Sequence, residues 1–268
     1  MNIGIIFSSE ASAMKPYQAM AASIRSYAEC TDGLDVVQTA PDVVHVFGTF
    51  DMQTRAMLKR CRKAAVPTVL TLCGGLAAYA DYGKTIDGKQ PAPLRNAILT
   101  MATTVHTTGP EEDAATAAVC RKAQRAMIAN AAVTAMLTEE DMCRELVALY
   151  RDTITRHEKG VTDGIAHTIE RAVPTLPTTA KAMLAGLLYS RYLNGRGLFT
   201  QQRHKEMAQA LIATDYDEEL LAQALTRTKT RKFAAALMAL LDDEGLLTEG
   251  FMPVPRTSRA LKLATFNL

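Results

Sequence analysis

Apolar residues fall consecutively, not alternately, in two short runs of this chain: residues 42–47 (DVVHVF), bounded by Pro41 and Gly48, and residues 68–72 (TVLTL). Between them, residues 51–64 have helix length, with apolar positions at Ala56, Met57 and Leu58. Strand, helix and strand in this order predict one βαβ unit. Runs that are apolar on both faces belong to a parallel sheet covered by helices on either side, joined by a right-handed crossover.

The flanking segments extend that pattern. Residues 2–7 read as a first strand, residues 8–13 (SSEASA) as its loop, and residues 14–28 as a helix with Pro16 tolerated in its first turn. Residues 34–38 predict a second strand. Downstream, Cys73-Gly74-Gly75-Leu76 ends the fourth strand, and residues 81–93, with Gly83, Gly88, Pro91 and Pro93, are rich in turn formers. A helix is predicted over 94–101, a strand over 103–107, a helix over 111–122 opened by Gly109-Pro110, and a sixth strand over 125–130. Thr138 opens a further helix with a capping pattern to Asp141, and Met142, Leu146, Leu149, Tyr150 and Ile154 mark its apolar face.

From Val161 onward the strand signal nearly vanishes. Helices are predicted over 178–193, 201–213, 217–225 and 231–244. The fold class read here is α/β: a Rossmann-like parallel-sheet domain (1–160), an α-helical domain (161–252) and a tail (253–268). Residues 246–251 suit a small hairpin, which would make the helical domain winged-helix-like, and the polar, basic tail is expected to be partly disordered.

At 268 residues, 48% hydrophobic and 22% charged, the chain has an ordinary globular balance, and a net charge of +2 gives no bulk electrostatic reason to bind nucleic acid. The five cysteines (30, 61, 73, 120 and 143) are scattered and never form a C-x-x-C pair, which argues against a disulfide framework or a zinc site and for the cytoplasm. The first ten residues, MNIGIIFSSE, lack a basic n-region and do not read as a secretion signal or membrane span.

In an open parallel sheet, ligands bind beyond the carboxyl ends of the strands. That rule singles out Ser8, Ser9 and Glu10 after strand one, Gly48 and Thr49 after strand three, Cys73, Gly74 and Gly75 after strand four, and Thr107, Thr108 and Glu111 near strand five. They would frame a pocket for a polar small molecule; the plainer reading is turn and cap chemistry. His45 and His106 lie inside apolar strands and read as core residues, while His157, His167 and His204 have no metal-ligand spacing. No P-loop, dinucleotide fingerprint or nucleophile elbow occurs, and no cofactor or metal is expected. The basic run of Arg227, Lys229, Arg231 and Lys232 precedes FAAALMALL, which offers almost no donors to base edges.

Residues 1–158 resemble the amino-terminal domain of the two-domain (GT-B, family 4-like) glycosyltransferases that use nucleotide sugars. That domain carries a D-V-V-H-V strand, a helix, an I-P-x-V strand and a glycine pair; residues 42–75 follow this order, with Val66 where the family's isoleucine would stand. Residues 126–134 (AMIANAAVT) are similar to its I-P-N-G-V segment, with Ala131 where glycine would stand. In the family the loop after strand one is usually glycine-rich, and a histidine precedes the glycine after strand four. Here the loop is SSEASA and Cys73 takes the histidine's place. The family's second Rossmann domain binds the nucleotide sugar, often through an E-x7-E pair; no two glutamates of this chain are so spaced. The resemblance therefore implies a glycosyltransferase-like protein of polysaccharide synthesis, non-catalytic or dependent on a protein partner or homo-oligomer, with a sugar or other polar small molecule as ligand. The alternatives are a divergent transferase completed by an oligomeric partner, and a ligand-sensing regulator whose helical domain binds protein or DNA.

Overall fold

The computed structural model describes residues 1–32, 40–74, 92–120, 122–135 and 137–266. The chain divides into two compact units, Met1–Glu158 and Lys159–Leu268.

The apolar runs become the inner strands of a parallel sheet. In chain order the first unit contains β1 (Ile3–Phe7), α1 (Ser9–Ser12), α2 (Lys15–Tyr27), β2 (Cys30–Asp32), β3 (Val43–Gly48), α3 (Met52–Lys63) and β4 (Thr68–Leu72). It continues with α4 (Ala92–Met101), β5 (Thr104–Thr107), α5 (Pro110–Val119), β6 (Gln124–Met127) and the start of α6 (Glu139–Ala172). Among the described residues the sheet has six strands, in the order β2-β1-β3-β4-β5-β6, and every pair is parallel. The order reverses at β1, so the chain ends of β1 and β3 diverge there and leave a crevice at the carboxyl edge.

Strand alternation sends successive side chains to opposite faces, and the core divides accordingly. Ile3, Ile5, Val43, Phe47 and Val69 meet Met20, Ala21 and Ile24 of α2 and Met142, Leu146, Leu149 and Tyr150 of α6. Val44, Val46, Leu70, Leu72 and Val105 meet Met57, Leu58 and Cys61 of α3 and Ile98 and Leu99 of α4. With helices on both faces, consecutive apolar residues are all buried, which is why the strands lack polar alternation.

The strand predicted over 34–38 lies outside the described residues; the partner of β1 at that edge is Cys30–Asp32. The turn-rich stretch 81–93 is likewise largely outside them. Residues 159–164 are helical, because α6 runs unbroken from Glu139 to Ala172 and the second unit begins within it.

The second unit continues with α7 (Thr178–Gly195), α8 (Gln201–Ala213), α9 (Glu218–Arg227), α10 (Arg231–Asp243), a 3₁₀ turn (Glu249–Phe251) and α11 (Arg259–Phe266). Asp217 caps α9, its Oδ1 accepting from the Leu220 amide at 2.9 Å. The FAAALMALL stretch makes α10 the central helix, with Phe233, Ala234 and 236–241 all buried.

Two expectations fail here. Residues 246–251 form no hairpin, and among the described residues this unit has no strand, so a winged helix is not what it is. Leu247 and Met252 enter the helical core, a burial that an isolated two-stranded ribbon would not provide. Nor is the described part of the tail, 253–266, disordered. Thr257 donates its amide to the Ala235 carbonyl at 3.1 Å, the Asn194 amide reaches Thr265 O at 2.9 Å, and the Phe266 ring lies 5.8 Å from Phe233. Lys262 is buried and paired with Asp243. The tail's polarity is that of one face of an amphipathic helix.

Among the described residues no helix is long and apolar enough to cross a membrane.

Candidate site at the carboxyl edge of the sheet

The loop after β1 is spent on its own geometry. Ser8 is buried and caps α1, its Oγ accepting from the Ala11 amide at 3.4 Å. Ser9 donates both its amide and its hydroxyl to Gln53 Oε1, at 2.8 and 2.7 Å. The Glu10 carboxylate lies 3.2 Å from the Thr49 hydroxyl, which also meets Asp51 Oδ2. One hydroxyl proton thus stands between two carboxylates across the crevice between β1 and β3. The Asp51 side chain also caps α3 by accepting from the Thr54 amide.

Gly48 is required for a steric reason. A Cβ there would lie 2.6 Å from both Cγ2 and Oγ1 of Thr54, the oxygen that accepts from the Thr49 amide.

After β4, Cys73 donates its amide to Gly48 O at 2.8 Å, and its thiol is buried. Burial pushes that thiol up, and the Glu112 carboxylate adds to the effect, so it stays protonated and unreactive. Gly74 has φ +86, the left-handed region that favours glycine. Its amide donates to the Tyr17 hydroxyl at 3.0 Å. Gly75 lies outside the described residues.

After β5, Thr107 Oγ1 lies 3.3 Å from Asp113, which pairs with Arg125 at 3.0 Å. The amide and hydroxyl of Thr108 both donate to Glu112 Oε2, at 2.9 and 3.0 Å. Glu111 is exposed on α5; its neighbour Glu112 is the one turned inward. The other oxygen of that carboxylate, Oε1, is buried without a partner among the described residues. Desolvation raises the Glu112 carboxyl, against the lowering effect of the two Thr108 donors. Burial also raises the Tyr17 phenol, against the Gly74 amide.

These groups border a cavity of about 260 Å³ lined by Pro16, Tyr17, Thr108, Asn130, Val133 and Thr134. Asn130 is fixed in orientation: its Nδ2 donates to Pro16 O at 3.1 Å and its Oδ1 accepts from the Ala132 amide at 3.0 Å. The lining offers hydroxyls, an amide and apolar carbon, with no cation.

Beneath the edge lies a buried polar chain. Tyr150 OH meets His45 Nδ1 at 2.6 Å, His45 Nε2 meets Thr71 Oγ1 at 2.7 Å, Thr71 Oγ1 meets His106 Nδ1 at 2.7 Å, and His106 Nε2 meets Ile128 O at 3.0 Å. Burial lowers both imidazoles, His45 well below its ordinary value and His106 to about 4, so both are neutral.

No protein-family model, curated protein or solved structure matches this chain. What the site can do rests on its own atoms.

The residues singled out from sequence divide into two groups. Ser8, Ser9, Glu10, Gly48 and Thr49 form the β1/β3 crevice and are engaged mainly in holding its loops. Gly74 and Thr108 border the cavity through Tyr17 and Glu112. Sequence reasoning did not pick out Tyr17, Glu112 or Asn130. A signal existed for each: the helix start beside Pro16, the second glutamate of the Pro-Glu-Glu opening, and the polar residue ending the sixth apolar run. Among the described residues no cluster of three metal-ligating side chains occurs.

Proposed function

We propose that this is a glycosyltransferase-like protein whose sheet unit binds a neutral polyhydroxylated molecule of about monosaccharide size, and which does not by itself transfer sugar. The observation that carries the reading is the linked set of Gly74 amide, Tyr17 hydroxyl, Thr108 hydroxyl and Glu112 carboxylate beside a cavity of about 260 Å³. Hydroxyl and carboxylate groups held in fixed directions recognise sugar hydroxyls, which both donate and accept. The apolar carbons of Pro16 and Val133 suit a ring face.

Transfer from a nucleotide sugar needs positive charge or a metal aimed at the departing diphosphate. The cavity lining has no cation; its one ionisable group is the Tyr17 phenol, and the carboxylate hydrogen-bonded to the lining Thr108 is that of Glu112. The reading therefore assigns the chain a binding or partner-dependent part in polysaccharide synthesis, with any donor site on another protein.

Calorimetric titration with neutral hexoses and with UDP-glucose tests it. Saturable binding of at least one hexose, weakened about tenfold or more in Tyr17→Phe, is the expected outcome, with no release of sugar from the donor. Absence of binding by every neutral sugar removes the binding half of the proposal, and donor hydrolysis or transfer by the isolated chain removes the other.

A further inference from the structure

Two arginines on the other face of the same sheet edge have no counter-ion among the described residues. Arg55 is the fourth residue of α3 and Arg95 the fourth of α4. Both are half-buried, and in both the Nε atom is buried without a hydrogen-bond partner. Among the described residues neither guanidinium takes part in an ion pair. The other half-buried arginine among the described residues of this unit is matched: Arg125 pairs with Asp113 at 3.0 Å. Asp51, the acid at the start of α3, is engaged by the Thr54 amide and the Thr49 hydroxyl. A guanidinium stays charged at any working pH, and burying its Nε–H without an acceptor is unfavourable.

The topology brings these two residues to one end of one helix pair. α3 joins β3 to β4, and α4 precedes β5, all parallel neighbours in the sheet. Both helices therefore run against the strands and begin at the carboxyl edge. They pack together through Met57, Leu58 and Cys61 on one and Ile98 and Leu99 on the other. The positive ends of the two helix dipoles add to the field of the two side chains.

We infer that the α3–α4 flank of the sheet edge binds an oxyanion of the phosphate class, held by Arg55 and Arg95. One guanidinium fork saturates a planar carboxylate, whereas two forks carried by separate helices match an anion with oxygens in more than one plane. This site is separate from the cavity around Tyr17, which belongs to the α2 face, and it stands whether or not that cavity binds sugar.

The experiment is calorimetric titration of the full chain at constant ionic strength with inorganic phosphate, with glucose 1-phosphate and with chloride as the control. Melting curves of the unliganded proteins are recorded alongside. Saturable binding of phosphate or its ester is expected, weakened tenfold or more in Arg55→Gln and in Arg95→Gln, with Arg55→Lys in between. Ester binding at least tenfold tighter than phosphate identifies a phosphorylated small molecule as the ligand, and equal binding identifies the free anion. Unliganded Arg55→Gln and Arg95→Gln should melt at or above wild type, because each removes an unpaired charge. The proposal is overturned if neither phosphate compound binds, if both variants bind as wild type does, or if binding is lost together with a fall in the unliganded melting temperature. Glucose binding, which reports on the cavity, is read separately in the same variants.

Discussion

A backbone carbonyl can only accept, and that fixes every proton in the chain from Tyr150 to Ile128. His106 must donate from Nε2 to Ile128 O, so its Nδ1 accepts from Thr71; Thr71 then accepts from His45 Nε2, and His45 Nδ1 accepts from Tyr150. Because a proton on either ring would reverse a donor, the folded state holds both histidines neutral. The unfolded chain takes up these protons near pH 6.5, whereas folded His106 does so only near 4. Stability is therefore full above about pH 6.5 and falls as pH drops toward 4, by about 3 kcal/mol for a shift of this size. Urea denaturation at pH 7, 5.5 and 4.5 should show this slope, and it should flatten in His106→Gln. Tyr150→Phe leaves His45 Nδ1 buried without its donor and should cost about 1–3 kcal/mol at neutral pH; a variant as stable as wild type by the same measurement would mean the contact contributes nothing. The sequence placed both histidines in core strands but could not supply their partners, since Tyr150 lies 105 positions from His45.

At the scale of elements, the β3–α3 junction depends on close contact. Gly48 is not in a left-handed conformation; it is needed because Thr54 occupies the space a methyl would take. Gly48→Ala should destabilise by about 1–3 kcal/mol through overpacking, and Thr54→Ser, by removing the methyl from the contact, should recover part of that loss in the double variant. Additive costs in the denaturation series would place the strain elsewhere. In the second unit, α11 covers α10 and secures its own end by the Asn194–Thr265 and Lys262–Asp243 contacts. Deleting residues 257–268 should therefore lower the melting temperature by several degrees, on the scale of about 2–4 °C per kcal/mol, whereas a dispensable tail would leave it unchanged. Pattern reading found most helices here because each has a strong apolar stripe, and it missed α11 because eight residues give barely two turns of period.

For the molecule as a whole, stability should need neither metal nor disulfide. None of the five cysteines is in a disulfide, and Cys61, Cys73, Cys120 and Cys143 are buried, with burial raising their thiols. Melting curves with and without chelator and reductant should superimpose. A thiol reagent should modify Cys30 first and the other four only on unfolding; early modification of Cys73 would show the sheet edge open at that point. The sequence by itself determined the class of the first unit, because burial on both faces of a parallel strand dictates consecutive apolar residues, and that signal is local. It also determined the helical character of the second unit through 3.6-residue periodicity. Only the tertiary structure decided which polar residues at the edge are spent on capping loops, as Ser8 and Asp51 are, and which border the cavity, as Tyr17 and Asn130 do. It also decided that Glu112 turns inward while Glu111 faces solvent. The physical reason is one of range: propensity and period act over a few residues, but the hydrogen bond from Asn130 to Pro16 spans 114 positions and exists only once the sheet has brought its strand ends together.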